Sequence, residues 1–218
     1  MVAVLDTGLS LDHPALQGIR LAACRSFVGG DPHQDVTGHG TGCCGILVAR
    51  PGLGGPAGLS PGIALLFGQI MGKDGRGTVA ALCEGLRCAV GADADLIALP
   101  SGVLYEEPVL RAAVAEVLAA GVRLLAAAGN PFVGQTGPLY PAAYPGVLCV
   151  GAAAYRDLYA AWSRPPDVVV LANRRAVPMP GGTWREVSGT SLAVMIVAGL
   201  LATRGGVKQL PVLNHVLF

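Results

Sequence analysis

Short apolar runs alternate along this chain with longer segments that carry helical periodicity. Strand-like runs of four or five residues occupy 2–5, 63–67, 96–99, 124–128 and 147–151. Apolar runs of this length are typical of parallel strands that are covered on both faces. Helices are predicted between them at 43–49, 79–91 and 108–120. The alternation predicts an α/β fold with three layers, in which a mainly parallel sheet has helices on both faces.

A further apolar run, 194–202, predicts a buried helix, and Ser191 lies in its first turn, after Gly189. Unpaired backbone N–H groups and the positive end of the helix dipole favour negative charge there. This is a good position for a nucleophile. Taken alone, however, Ser188-Gly189-Thr190-Ser191 is also an ordinary helix N-cap.

Composition indicates a compact globular protein. The chain has 218 residues, 52% of them hydrophobic and 13% charged, which suits a single domain over 1–218. A formal net charge of +1 argues against nucleic acid and anionic membrane surfaces as partners. The apolar run 192–202 is shorter than the about 20 residues that span a bilayer. No leader sequence is visible at Met1, so we expect either a cytoplasmic protein or a sequence that has been trimmed.

Six cysteines are present, but none lies in a CxxC pair or in a Cys/His spacing that suits zinc. We therefore expect no metal and no cofactor. Buried thiols are favoured, and the even number of cysteines leaves disulfides as the alternative. His13 and His33 lie in polar or turn segments, where we expect exposed side chains without a chemical role.

Four residues with complementary chemistry follow predicted strands or begin predicted helices: Asp6, His39, Asn130 and Ser191. Strand ends are where open α/β sheets place their sites. Hydrolysis by a hydroxyl needs a nucleophile, a base, a carboxylate that orients the base, and a donor for the developing oxyanion. All four types are present in this set.

Five segments carry a resemblance to a known family. They are Val-Ala-Val-Leu-Asp6-Thr-Gly, Gly-His39-Gly-Thr, Ala-Ala-Ala-Gly-Asn130, Tyr144-Pro145-Gly-Val-Leu-Cys-Val-Gly-Ala and Gly-Thr-Ser191-Leu-Ala. They resemble, in order, the blocks of the subtilisin family of serine proteases, and the order Asp, His, Ser is that of subtilisin. The resemblance extends over most of the chain and implies a subtilisin-like three-layer fold.

The resemblance also implies a role for each residue. Ser191 would be the nucleophile, His39 the general base and acid, and Asp6 the orienting carboxylate, while Asn130 and the Ser191 backbone N–H would bind the oxyanion. An extended peptide or protein substrate would lie as an added strand between two segments. These segments are Gly75, Arg76 and Gly77 on one side and Pro100, Ser101 and Gly102 on the other. The P1 pocket would be walled by Ala127, Ala128 and Gly129.

Several positions depart from the family pattern. Gly42-Cys43-Cys44 follows Thr41, and Met195-Ile196 replaces a Pro-His pair. We expect no prodomain and no calcium site. A weaker resemblance to proteases that trim precursors of ribosomally made peptide natural products suggests a specific processing enzyme. The alternatives are an inactive binding or partner subunit of the same fold, and a transpeptidase or macrocyclase in which an amine resolves the acyl-enzyme.

Overall fold

The computed structural model describes residues 1–130, 137–153 and 165–203. Seven strands form the main sheet: β1 (Val2–Asp6), β2 (Leu21–Ser26), β3 (Leu65–Gln69), β4 (Leu96–Leu99), β5 (Arg123–Ala127), β6 (Leu148–Ala152) and β7 (Val168–Val170). They are ordered β2-β3-β1-β4-β5-β6-β7, and every neighbouring pair is parallel. β1 is therefore flanked by β3 on one side and by β4 on the other.

Helices cover both faces of this sheet: α1 (His39–Val48), α2 (Val79–Gly91), α3 (Pro108–Ala119) and α4 (Thr190–Thr203). Side chains alternate across a strand, so Val2 and Val4 of β1 pack in the core beneath α1 and α4. Ala3 and Leu5 pack in the other core, beneath α2 and α3. The predicted three-layer α/β fold is confirmed. Among the described residues, no helix combines the length and apolar character that a membrane span requires.

One expectation about local structure was wrong, and one strand was not predicted. The strand β2 was not predicted, because it lies at the edge of the sheet and its side chains are mostly half-buried, without a continuous apolar run. His13 was expected in an exposed loop, but it is 1% exposed and its ring meets Trp184 edge-on at 4.7 Å. Its Nδ1 accepts a hydrogen bond from the Ala15 backbone N–H and so caps the short 3-10 helix Pro14–Leu16. His33 is exposed, as expected.

A separate antiparallel hairpin, β8 (Arg175–Met179) and β9 (Thr183–Val187), lies against α1. A Cβ at Gly42 would lie 3.0 Å from Val177 Cγ2, and a Cβ at Gly45 would overlap the ring of Pro178. The glycines thus let the hairpin approach the helix backbone closely. The unusual Gly42 in Gly42-Cys43-Cys44 is explained by this packing.

Gly45→Ala tests the closeness of that packing. The added methyl group has no room beside Pro178, so we expect the free energy of unfolding to fall by about 1–3 kcal/mol, as for other overpacked cores. Denaturant unfolding measures this loss. The matched control is Gly62→Ala, where an added Cβ meets no atom within 4 Å. Equal stability of the two variants would contradict close packing of the hairpin on α1.

Candidate active site

The candidate residues lie where strands end and helices begin. Asp6 is the last residue of β1, at the point where the strand order turns from β3 to β4. His39 is the first residue of α1, and Ser191 is the second residue of α4. Asn130 lies three residues beyond the end of β5. Such a switch point leaves a crevice at the carboxyl ends of the strands. His39, Asn130 and Ser191 line it, and Asp6 is buried beside His39.

Asp6 and His39 form a close pair. His39 Nδ1 lies 2.7 Å from Asp6 Oδ1 and 2.9 Å from Asp6 Oδ2. The carboxylate is fully buried and also accepts a hydrogen bond from the Thr7 backbone N–H at 2.7 Å. Because Nδ1–H donates to Asp6, the other ring nitrogen, Nε2, carries the lone pair and is the basic atom.

The pair also sets the basicity of His39. Ionised Cys43 and the Asp6 carboxylate both raise the pKa of His39 above that of an ordinary imidazole. Burial raises the pKa of the Cys43 thiol itself to about 11, so this thiol is neutral near pH 7. Asp6 is therefore the group that stabilises the imidazolium at neutral pH.

Ser191 lies in the same cleft as His39, yet its hydroxyl bonds elsewhere. Both residues line one cavity of about 240 Å³. Ser191 Oγ donates to the backbone carbonyl of Pro100 at 2.7 Å, and the structure gives the pair His39 and Ser191 no hydrogen bond. Catalytic hydrogen bonds are often absent before substrate binds. A rotation about the Cα–Cβ bond of Ser191 would redirect the hydroxyl.

Asn130 is held by the start of α4. Its side-chain oxygen accepts hydrogen bonds from the backbone N–H and the hydroxyl of Thr190, at 3.0 and 3.2 Å. The amide NH₂ is consequently the end that remains to donate into the cleft. Gly189, with φ of +137°, permits this approach, because a Cβ there would lie 3.0 Å from Asn130 Oδ1. The Ser191 backbone N–H is a second donor without a partner among the described residues.

The two segments proposed to hold a peptide face one another. Gly75, Gly77, Ser101 and Gly102 line a second cavity, of about 140 Å³, beside the first. Past Gly102, Val103 pairs with Tyr140 through two backbone hydrogen bonds of 2.8 Å. Within the described part of the chain, the backbone groups of Ser101 and Gly102 have no such partner. An extended peptide would find an open main-chain edge here. Arg76 is exposed, and its backbone N–H donates to Asp74 Oδ1 at 3.0 Å.

The third predicted segment lies deeper than the other two. Ala127, Ala128 and Gly129 are all buried at the end of β5. Both backbone groups of Ala128 are already bonded, its N–H to Val150 and its carbonyl to the N–H of Leu139. The part of these residues in walling a P1 pocket stays a prediction. Residues 131–136, which follow, lie outside the described residues.

Asp35 is a structural element of the site that the sequence reasoning missed. It is buried, and its carboxylate accepts hydrogen bonds from the backbone N–H groups of Gly38 and Thr41, at 3.0 and 2.9 Å. The Thr41 hydroxyl donates to it as well, at 2.7 Å. A carboxylate at the N-terminus of a helix also interacts favourably with the helix dipole. Its signal in the sequence was an acidic residue three positions before Gly38.

Two threonines complete the start of α1. The His39 N–H donates to the Thr37 hydroxyl oxygen at 3.1 Å, and the Gly40 N–H donates to the Thr7 hydroxyl oxygen at 3.0 Å. The Thr7 hydroxyl donates in turn to Asp35 at 2.8 Å. Every backbone N–H from 38 to 41 thus has an acceptor, as a buried helix end requires. This network fixes the position of His39 relative to Asp6.

Asp6, His39 and Cys43 are the described residues whose side chains could together bind a metal ion. Their ligand atoms lie within 4.8 Å of one another. A metal would have to replace the bond between Asp6 and His39 and deprotonate a buried thiol whose pKa is about 11. The hydrogen-bonded pair is the better description of this cluster. Cys43 and Cys44 are buried thiols, and the other departure, Met195, packs in the core.

Asp35→Asn tests the cap of α1. The amide keeps one acceptor and turns a donor toward groups that themselves donate, so we expect a loss of about 2–4 kcal/mol in unfolding free energy. We also expect kcat on a cleaved peptide to fall more than KM rises, because His39 loses its position. Denaturant unfolding and steady-state kinetics measure the two effects.

The control for this variant is Asp31→Asn. Asp31 is an exposed carboxylate in the same loop that accepts from the His33 N–H. It should change stability by less than about 1 kcal/mol. If Asp35→Asn were as mild as Asp31→Asn, the cap could not be what positions His39.

Comparisons with known proteins agree with the geometry. The model of the subtilase family, peptidase S8, matches residues 1–205. Over 220 residues the chain is 34% identical to an intracellular serine protease of Paenibacillus polymyxa, covering 96% of this chain and 66% of that protein. Over 205 residues it is 36% identical to Subtilisin BL of Lederbergia lenta, covering 92% and 74%. Over 213 residues it is 33% identical to the major intracellular serine protease of Bacillus subtilis strain 168, covering 92% and 66%.

The matched region extends over nearly the whole of this chain but about two thirds to three quarters of those relatives. The family match spans both the β1 strand that ends in Asp6 and the α4 helix that carries Ser191. The chain belongs to the subtilase family.

Proposed function

We propose that this chain is a serine endopeptidase that cleaves peptide bonds through an acyl-enzyme. One observation carries the proposal: a histidine paired with a buried carboxylate shares a cleft with a serine at a helix N-terminus. His39 is the base, Asp6 orients it and Ser191 is the nucleophile. The family, and the relatives named as serine proteases, support the same assignment.

The reaction follows from these positions. His39 Nε2 takes the proton of the Ser191 hydroxyl as Oγ attacks the scissile carbonyl, and it then donates that proton to the leaving amine. Water, activated in the same way, hydrolyses the acyl-enzyme and restores Ser191. Asp6 keeps the proton on Nδ1 throughout and stabilises the imidazolium that forms in each half of the reaction.

Two N–H donors would stabilise the negative charge that develops on the carbonyl oxygen of the substrate. They are the Asn130 NH₂ group, oriented by the bonds that its oxygen accepts from Thr190, and the Ser191 backbone N–H in the first turn of α4. Donors fixed before the reaction need no reorganisation when the charge appears, and they are worth most where water is excluded.

The peptide would bind as a strand between 75–77 and 100–102. The Pro100 carbonyl, which now accepts from Ser191, lies on this edge and is an acceptor for a substrate N–H. A bound peptide would therefore compete with the Ser191 hydroxyl for this carbonyl and favour its turn toward His39.

We propose further that the substrates are few and specific, as for a precursor-processing enzyme. Two relatives are named as intracellular proteases. A peptidase inside a cell must be selective, because it would otherwise digest the proteins around it. Processing of specific precursors in the cytoplasm agrees with this requirement. A peptide library read by mass spectrometry tests it: cleavage at a narrow set of sequences supports the proposal, and broad digestion contradicts it. The masses of the products also separate hydrolysis from transpeptidation. Hydrolysis yields fragments whose summed mass exceeds that of the substrate by one water, whereas transfer of the acyl group to an amine adds no water.

Covalent labelling tests the nucleophile directly. A fluorophosphonate probe should add one probe mass to the folded protein, read by intact mass spectrometry, because His39 activates Ser191. Ser191→Ala should not be labelled, while Ser188→Ala, a nearby exposed serine, should label as the unmodified protein does. A folded protein that takes up no probe would contradict the proposal and favour the inactive binding subunit.

The pH dependence of kcat/KM tests the pair of Asp6 and His39. The base works only when unprotonated, and its pKa is raised, so activity should be lost with falling pH through an apparent pKa above 6.5. Asp6→Asn removes the carboxylate that raises this pKa. It should move the acid limb to lower pH and reduce kcat by roughly 10⁴-fold. An acid limb unmoved by Asp6→Asn would show that another group controls it.

A further inference from the structure

The cavity that contains His39 and Ser191 continues along the hairpin of β8 and β9. Its far wall consists of Val177, Met179, Arg185 and Val187, all of which belong to this hairpin. Cross-strand partners lie on the same face of a ribbon, and Val177 is the partner of Arg185. One face of the hairpin therefore looks into the candidate active site, and Arg185 stands on that face.

The geometry places this cavity on the leaving-group side of the scissile bond. This step rests on the proposed function. The acyl part of the peptide would lie along 100–102, and none of these residues lines the cavity. His39, which gives the leaving amine its proton, does line it. The residues that follow the scissile bond must therefore pass His39 and run along the hairpin.

Arg185 gives this cavity a permanent positive charge. Among the described residues that line this cavity, it is the one with a side chain charged at every physiological pH, and none of the others is a carboxylate. Arg185 is exposed and has no ion pair with any described residue. The neighbouring carboxylate, Glu186, points to the opposite face of β9, where it pairs with Arg174 at 3.0 Å.

A second arginine adds to the positive charge on this face of the hairpin. Arg175 is the cross-strand partner of Val187, so it shares the face of the hairpin that carries Arg185. It is exposed and likewise has no ion pair within the described part of the chain. The Asp6 carboxylate of the site is fully buried and bonded to His39. The hairpin face is thus suited to an anionic partner.

We propose that Arg185 selects substrates with Asp or Glu at the first or second residue after the scissile bond. The planar guanidinium pairs with the side-chain carboxylate as the leaving segment lies against the hairpin. The pairing makes Arg185 a specificity residue for the amine half of the substrate, distinct from the edge at 100–102 that holds the acyl half.

Matched peptides test this assignment. Each is a quenched fluorescent peptide, and all share the same cleavable sequence before the scissile bond. They differ at the first or second residue after the bond, which is Glu, Gln or Lys. We expect kcat/KM to be roughly two- to fivefold higher for Glu than for Gln at one position, and lowest for Lys. The preference should shrink as salt is raised from 0.05 to about 0.5 M, because added salt screens an exposed pair.

Charge reversal at Arg185 supplies the decisive comparison. Arg185→Glu should invert the order, so that Lys becomes preferred over Glu, and Arg185→Gln should abolish the preference. The control is Arg20→Glu, the same change in charge at an exposed residue before the amino end of β2, far from the strand ends that carry the site. It should leave the order unchanged.

The outcomes separate this inference from the proposed function. Cleavage with no preference among Glu, Gln and Lys, or a preference that survives Arg185→Glu, overturns the role of Arg185 while the endopeptidase assignment stands. A change of preference in Arg20→Glu as large as in Arg185→Glu would assign the effect to net charge and also overturn it. Failure of every peptide, together with absent fluorophosphonate labelling, would instead overturn the proposed function.

Discussion

The backbone N–H groups at the start of α1 are the constraint on which the site depends. They point into the interior between β1 and the loop before His39, where they must find protein acceptors. The Asp35 carboxylate and the hydroxyls of Thr7 and Thr37 supply these acceptors. Thr7 directly follows Asp6, so the network that caps the helix and the pair of Asp6 and His39 share one piece of chain. A change to the cap of α1 therefore also changes the surroundings of this pair.

The sequence predicted most of the main sheet because its central strands are buried on both faces. Such strands need continuous apolar runs, and β1, β4 and β5 have them. The edge strand β2 is mostly half-buried, so its composition carries no clear signal. The hairpin was also unclear, since its strands expose arginine and glutamate and contain Pro178. Its position on α1 depends on glycines more than a hundred residues away, a tertiary effect that no local pattern encodes.

The four candidate residues were found in the sequence because each follows a strand or begins a helix within a distinctive short segment. Asp35 and Arg185 were not, for a different reason. Asp35 lies in a polar loop where acidic residues are ordinary, and its burial becomes visible when the helix it caps is placed. Arg185 is an exposed residue of a short strand, and nothing in its local sequence shows that its side chain lines the same cavity as Ser191. Local pattern identifies reactive groups better than the groups that hold or surround them.

The hairpin is built as a unit apart from the seven-stranded sheet, resting on a glycine-lined helix surface. Its inward residues touch the cleft, whereas the residues that bond Asp6 and His39 belong to other elements. Substitutions at its exposed inward residues, such as Arg185, therefore remove no hydrogen bond of Asp6 or His39. Val177 and Met179 are different, because they pack against Gly42 and Gly38 at the start of α1. If the chain is the proposed peptidase, substitutions at a few exposed positions of this hairpin would change which peptide sequences fit the cleft, while the reacting groups stay the same.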